Sequence, residues 1–144
     1  MVIVVGANHP WAGRPSASIY ELAEQPFLVR QRGSHTYDWV IGLFARFELS
    51  PHIVGEFNDP HALRQAILHG IGISLLPACL VREDAQRGQV HLLTLEEVPD
   101  LKRVLKLLWR TDWPPNPVAR AFLNLLVEQH PQVNLPVLSP YQDR

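Results

Sequence analysis

The chain of 144 residues carries 13 Lys and Arg against 14 Asp and Glu, a net charge of −1 and a single cysteine. A domain of this length can bury a core, and the near-neutral balance argues against a protein that binds nucleic acid unaided. Cys79 excludes an internal disulfide and, within an apolar run, is expected to be buried. Seven scattered histidines show no zinc-binding spacing, so we predict no metal and no cofactor. No apolar run is long enough to span a bilayer, and we expect a soluble, cytoplasmic protein without membrane contact.

The predicted elements alternate between short strands and amphipathic helices. Residues 2–5, VIVV, form an unbroken β-branched run, which is typical of a strand covered on both faces. A connector rich in Pro, Gly and Ser follows. The pattern then predicts a helix over 19–24, a strand over 27–30, a helix over 35–48, a strand over 52–57, a helix over 60–69 and a strand over 72–76. This order indicates an α/β fold with a parallel sheet.

The remaining residues predict further short elements. We expect a short helix over 80–86 closed by Gly88, strands over 90–95 and 104–109, and then a second proline-containing connector. Asn116 is the predicted cap of a last helix, with Pro117 at its first position. The prolines beyond this helix predict a loose tail over 129–144.

Two loops stand out because each leaves a predicted strand and enters a predicted helix. They are Gly33-Ser34-His35-Thr36 and Phe57-Asn58-Asp59-Pro60. In a parallel sheet, loops at the carboxyl ends of the strands gather at one edge, where ligands bind. A helix start also presents free N–H groups that favour a carboxylate or phosphate. We therefore expect the first loop to cradle an anion through its two hydroxyls and the backbone at Gly33, with His35 tuning the charge.

Other interpretations of both loops stay open. Ser or Thr before a helix is most often only a cap. Asp59 would repel an anion, so the second loop is expected to shape the pocket or contact a polar group, with Phe57 either a pocket wall or part of the core. Ser34 and His35 fit a nucleophile and its base poorly, because G-x-S-x-G is absent and neighbours in sequence point poorly towards each other.

Five stretches of sequence together resemble one protein family. They are HPWAGRP, ELAEQPFLVRQRGSHT, HALRQAILHGIGISLLPACLV, RGQVHLL and NPVARAFLNLL, in that order. The combination resembles the effector-binding domain of LysR-type transcriptional regulators and covers residues 2–127. The resemblance implies a fold like that of periplasmic binding proteins, with two α/β lobes and a small effector in the cleft between them. It implies a sensor and not an enzyme.

The resemblance also implies a division of the chain. Residues 15–102 would form one complete lobe with a βαβαβ parallel core and added strands. Residues 2–5 and 116–128 would be remnants of the other lobe, within a partial domain over 1–128. The winged helix-turn-helix that reads DNA has no counterpart in this sequence, so we expect an N-terminally truncated regulator. DNA would be bound only by the full-length parent, which would be a homo-oligomer.

Matching by position carries the family's site onto this sequence. Ser34, His35 and Thr36 match a GSGT-like loop that often helps to bind effector carboxylates, and residues 57–60 match a loop that forms another cleft wall. His35 replaces the usual glycine and Tyr37 stands where arginine is common, so the effector contact is expected to be altered. Pro60-His61 replaces a more typical acidic pair.

The sequence supports three functional hypotheses of unequal weight. The first is a module that senses a small, anionic metabolite on behalf of a transcriptional regulator. The second is a truncated interaction or dimerisation module without a ligand of its own, which exposed apolar surface would favour. The third and weakest is a small hydrolase that uses Ser34 and His35.

Overall fold

The chain folds into two compact units, Met1–Arg103 and Val104–Arg144, and the computed structural model describes residues 1–104, 106–108 and 116–131. The second unit contains α5 (Pro117–Gln129). The first unit contains β1 (Val2–Gly6), β2 (Ser16–Ala17), α1 (Ile19–Glu24), β3 (Phe27–Arg30), α2 (His35–Ala45), β4 (Ile53–Phe57), α3 (Pro60–Leu68), β5 (Ser74–Leu76), α4 (Ala78–Gln86) and β6 (Val90–Leu95).

The strands of the first unit run in one direction except for β1. β3 pairs with β4 in parallel, and a parallel bridge between Phe27 and Ile73 joins β3 to the start of β5. β1 lies antiparallel between β5 and β6, and β2 adds to β6 in parallel. The strand order is therefore β4-β3-β5-β1-β6-β2. The carboxyl ends of β3, β4, β5 and β6 share one edge with the amino end of β1.

Apolar side chains cover both faces of this sheet, because successive side chains of a strand point to opposite faces. Ile3 and Val5 contribute to the core on one face and Val4 to the core on the other, and all three are fully buried. The first core includes Phe44 of α2, and the second includes Leu63 of α3. A sheet covered on both faces needs near-continuous apolar strands, which the sequence provides.

A bidentate ion pair joins the two helices on the second face. Arg64 of α3 donates from Nε and Nη2 to the two carboxylate oxygens of Asp84 of α4. The Asp84 side chain is 1% exposed. The hydrogen bonds from Arg64 lower the pKa of Asp84, although burial opposes this shift. The pair satisfies a carboxylate whose burial would otherwise be unfavourable.

Most predicted elements are confirmed, with corrected ends. α2 ends at Ala45 rather than at residue 48. Glu48 there adopts a φ of 59°, and the Leu49 N–H donates to the Phe44 carbonyl. These are the features of a Schellman-type helix end. The sequence does not reveal this end because the left-handed position is occupied by glutamate and not by glycine.

The strand predicted over 104–109 is wrong at the residues that the structure describes. Residues 104 and 106–108 have no regular secondary structure, and residues 105 and 109 lie outside the described part. Val104 and Leu108 are 77% and 87% exposed. A strand needs a hydrogen-bonding neighbour as well as an apolar pattern, and no described strand pairs with this segment.

The assignment of residues 2–5 to a separate lobe is also wrong. β1 occupies the interior of the first unit's sheet, paired with β5 on one side and β6 on the other. The buried run correctly predicted a strand, but a run of apolar side chains reveals neither the partner nor the direction of that strand. The compact unit therefore includes Met1 and extends to Arg103.

α5 begins as predicted, but its apolar face is exposed. The Asn116 side chain accepts a hydrogen bond from the Ala119 N–H at 2.8 Å, and Pro117 is the first helical residue. Val118 and Phe122 are 78% and 54% exposed. Beyond Pro131 the predicted tail lies outside the described residues.

Gly72 and Gly42 offer a matched test of the packing in the first unit. A Cβ at Gly72 would lie 2.5 Å from the carbonyl oxygen of Pro26, whereas a Cβ at Gly42, within α2, would meet nothing within 4 Å. We expect Gly72→Ala to destabilise the unit by about 1–3 kcal/mol. Gly42→Ala should stabilise it by about 0.5–1 kcal/mol, because alanine favours a helix. Urea unfolding measures both, and equal stabilities would contradict the close contact.

Candidate functional site

The loops that follow β3 and β4 lie side by side. The two strands end in register, with Arg30 opposite Phe57. The Arg30 guanidinium donates from Nε to the Phe57 carbonyl at 3.1 Å and from Nη2 to the Asn58 carbonyl at 2.7 Å. The Gln31 N–H adds a bond of 2.9 Å to the Phe57 carbonyl. These bonds hold the backbone of the second loop against the start of the first.

The start of α2 leaves backbone donors open. Ser34 is the N-cap, and its Oγ accepts a hydrogen bond from the Tyr37 N–H at 3.2 Å. Within the described residues, the N–H groups of His35 and Thr36 have no hydrogen-bond acceptor. Gly33 precedes the cap with a φ of 79°, a left-handed conformation that suits glycine, and nothing lies within 4 Å of where its Cβ would be. A ligand can therefore approach these amides closely.

The start of α3 is different, because its own side chains occupy it. Asp59 is the N-cap and accepts a hydrogen bond from the His61 N–H at 3.1 Å. Pro60 is the first helical residue and has no N–H. The Asp59 carboxylate balances the positive end of this helix. Phe57 is half-buried and packs on the core beneath α3, while Asn58 is exposed. This loop offers a negative charge and an aromatic side chain, not open amides.

A third helix start lies at the same edge; the helix was predicted from residue 80, two residues late, and was not included in the predicted site. α4 follows β5 and begins after Pro77, which makes no side-chain capping bond. Cys79 on its first turn is exposed, so the expectation that it is buried is wrong. The apolar run around it spans the junction between a strand and a helix, where the burial pattern changes. The proline directly after the strand could have revealed this start, because proline cannot continue a strand's hydrogen-bond ladder, and Pro77 is the N-cap of α4.

Arg103 reaches the first loop from a distant part of the sequence. Its Nη1 donates to Oγ1 of Thr36 at 2.7 Å, across 67 residues of chain. Thr36 and Arg103 are both half-buried. Because the Thr36 oxygen accepts this bond, its hydroxyl hydrogen stays available to a ligand. Sequence reasoning missed Arg103, since a contact across such a separation has no periodic signature.

The opposite edge of the sheet also carries a cavity, of about 350 Å³. It is lined by residues 6–10 and 68–70 and by Gly72. α3 ends here, and the carbonyl end of a helix disfavours an anion. Nδ1 of His9 accepts a hydrogen bond from the Trp11 N–H at 3.1 Å, and burial lowers the pKa of His9. This edge therefore suits an anion less well than the start of α2.

The described residues also bear on a catalytic Ser–His pair, a metal site and a membrane-spanning helix. The hydroxyl oxygen of Ser34 is engaged by the Tyr37 amide, and no hydrogen bond joins Ser34 to the exposed His35 in the part of the chain that the structure describes. No group of three His, Cys, Asp or Glu side chains among the same residues could hold a metal ion. None of the helices described there has the length and hydropathy needed to cross a bilayer.

The family of the chain follows from comparison with known proteins. The family model for the LysR substrate binding domain matches residues 1–131. The chain therefore belongs to the LysR substrate-binding domain family. The HTH-type transcriptional regulator CbbR of Sinorhizobium medicae is 29% identical over 146 residues, which include 98% of this chain and 45% of CbbR. The chain spans less than half the length of this relative.

Solved structures confirm the predicted fold. The CcmR regulatory domain of Synechocystis PCC6803, in complex with 2-PG, superposes with a TM-score of 0.69 at 25% identity, over 89% of this chain and 61% of that one. The effector binding domain of QuiR, in complex with shikimate, superposes with a TM-score of 0.67 at 20% identity, over 93% and 62%. The α/β fold like that of periplasmic binding proteins is thus shared with LysR effector-binding domains.

Two arginines near β3 allow a matched test of how the loops are held. Arg30→Met removes both guanidinium bonds to the second loop and should destabilise the first unit by about 1–2 kcal/mol. Arg32 instead pairs with Glu56 at 2.9 Å, and its side chain is 75% exposed. Arg32→Met should change the stability by less than about 0.5 kcal/mol. Urea unfolding would measure both, and amide NMR shifts at residues 57–59 should move only in Arg30→Met. Unmoved shifts in that variant would contradict the role of Arg30.

Proposed function

We propose that the chain is the ligand-sensing part of a LysR-type transcriptional regulator and that a small anionic metabolite binds at the start of α2 to control transcription. The observation that carries this proposal is the pair of open amides at His35 and Thr36, with the Arg103 guanidinium beside them. Helix-start amides and a guanidinium both favour a carboxylate or phosphate. The proposed contacts are Gly33, Ser34, His35, Thr36 and Arg103, with Phe57, Asn58, Asp59 and Pro60 as a neighbouring wall.

The relatives support the same class of ligand. CcmR was solved with 2-PG and QuiR with shikimate. Shikimate carries one carboxylate, to which the open amides of α2 could donate, and hydroxyls, which could donate to acceptors in the polar wall near Asp59. We propose an effector of comparable size with at least one anionic group.

The parent regulator is proposed to be a cytoplasmic homo-oligomer without catalytic activity. CbbR is an HTH-type regulator of more than twice the matched length, and DNA would be bound by a helix-turn-helix domain outside this chain. Residues 116–128 would belong to the other lobe of the parent. Effector binding would then shift the population between arrangements of the oligomer.

Ser34→Asp separates capping from anion binding. Aspartate caps a helix as well as serine does, so the stability of the unit should stay within about 0.5 kcal/mol of the native value. Its charge would repel an anion at the adjacent amides and weaken binding by at least about tenfold. Titration of the 144-residue chain with shikimate and with inorganic phosphate, followed by amide NMR shifts at residues 33–37, measures the affinity.

The control for this variant is Gln86→Glu, which adds the same charge at an exposed position at the other end of α4. It should leave the titration unchanged. Equal binding by the native chain and Ser34→Asp would count against an anion at the start of α2, and so would native amides at residues 33–37 that respond to neither probe.

A second candidate function is an interaction module without a ligand of its own. The exposed apolar side chains of α5 favour it, since Val118, Phe122 and Leu125 are all more than half exposed. Such a module would self-associate through this face, and Phe122→Gln would return the chain to a monomer in size-exclusion chromatography. A native chain that is monomeric and binds an anion would argue for the sensor instead.

A further inference from the structure

The segment that leaves β6 is anchored beside α2. Leu101 is 6% exposed and packs in the core shared with α1 and α2. Its carbonyl accepts a hydrogen bond from the Met1 nitrogen at 2.7 Å. A cavity of about 340 Å³ lies between this segment and α2, lined by Trp39, Gly42, Leu43, Arg46, Val98, Asp100, Leu101 and Lys102. The segment thus follows the helix towards its start.

Arg103 ends this segment and is the last residue of the first unit. Between Leu101 and Arg103 only the exposed Lys102 intervenes, and its ammonium pairs with Asp100 at the surface. The hydrogen bond from Arg103 to the Thr36 hydroxyl is therefore what ties the end of the unit to the first loop. Among the described residues, Arg103 forms no ion pair with a carboxylate.

The chemistry of this contact links it to an anion. A hydroxyl that accepts a bond from a cation becomes a stronger donor through its own hydrogen. A guanidinium has five N–H donors, of which the Thr36 contact uses one. An anion that accepts from the Thr36 hydroxyl would also lie within reach of the remaining donors of Arg103. Its binding would strengthen the existing contact and would not compete with it.

We propose that the Arg103–Thr36 contact transmits occupancy of the α2 start to the segment that leaves the first unit. This inference rests on the proposed function and names the regulation of that same site. Binding orders residues 102–104, at the end of the first unit. Linkage requires the reverse effect as well, so a loss of the contact weakens anion binding.

The decisive variant is Thr36→Val, which keeps the shape of the side chain and removes the hydroxyl. Ser34 remains as the cap, so the start of α2 persists. Thr36→Ser restores the hydroxyl and should behave as the native chain. Thr94→Val is the matched control. The Thr94 hydroxyl also makes a hydrogen bond within the first unit, because it donates to the Pro15 carbonyl at 3.1 Å.

Two NMR measurements on the 144-residue chain test the proposal. Without added ligand, Thr36→Val should lower the backbone order parameters of residues 102–104 and shift the Arg103 Nε–H resonance, whereas Thr36→Ser and Thr94→Val should leave both unchanged. With inorganic phosphate or shikimate, the native order parameters should rise. The Thr36→Val affinity should fall by about five- to tenfold, the equivalent of one lost hydrogen bond. Arg103→Gln added to Thr36→Val should cause no further fall in the order parameters of residues 102–104, because both changes remove the same contact. It should weaken anion binding further, because the guanidinium is also a direct contact of the anion.

The outcomes distinguish a failure of this inference from a failure of the proposed function on which it rests. Native amides at residues 33–37 that respond to a probe, with order parameters at 102–104 that do not, would overturn the transmission and leave the binding site standing. Equal order parameters at residues 102–104 in the native chain and in Thr36→Val, both measured without ligand, would also overturn the transmission. A chain that responds to neither probe at residues 33–37 would overturn the binding site, and the transmission with it.

Discussion

The parallel pairing of β3 with β4 is the constraint on which the candidate site depends. Because the strands run in the same direction and end in register, the helices that follow them must start at the same edge of the sheet. Arg30 then fixes the second loop by bonding to two consecutive carbonyls, those of Phe57 and Asn58. An antiparallel pairing would have left the two loops at opposite edges.

The antiparallel course of β1 adds a second consequence. The amino end of β1 and the carboxyl end of β6 reach the edge at which α2, α3 and α4 begin. The chain therefore enters and leaves the sheet beside the candidate site, and the Met1 nitrogen bonds to the Leu101 carbonyl there. This proximity makes a contact such as Arg103 to Thr36 possible.

The sequence predicts most of the local structure because local structure has local causes. Alternating burial, the caps at Ser34 and Asp59, and the left-handed glycine at Gly70 all leave a mark within a few residues. The direction of β1, the contact of Arg103 and the irregular backbone of residues 104 and 106–108 depend on partners far away in the chain, which no periodicity encodes. The predicted end of α2 was wrong because Glu48 adopts a left-handed backbone conformation. Glycine is the usual residue in that conformation, so glutamate does not signal a helix end. Whether the predicted residues bind a ligand stays a prediction.

The two predicted loops are chemically unequal, although each begins a helix with a capping side chain. Serine caps α2 without charge, and the acidic residue in its first turn is Asp38, which follows the open amides of His35 and Thr36. In α3 the carboxylate is that of Asp59, the cap itself. Pro60 also removes an amide that α3 would otherwise present. An anionic group placed between the loops therefore lowers its energy by moving towards α2 and away from Asp59. The same field favours a hydroxyl or another hydrogen-bond donor at the Asp59 end of the ligand. The proposed orientation of the ligand would thus follow from the caps and first turns of two neighbouring helices.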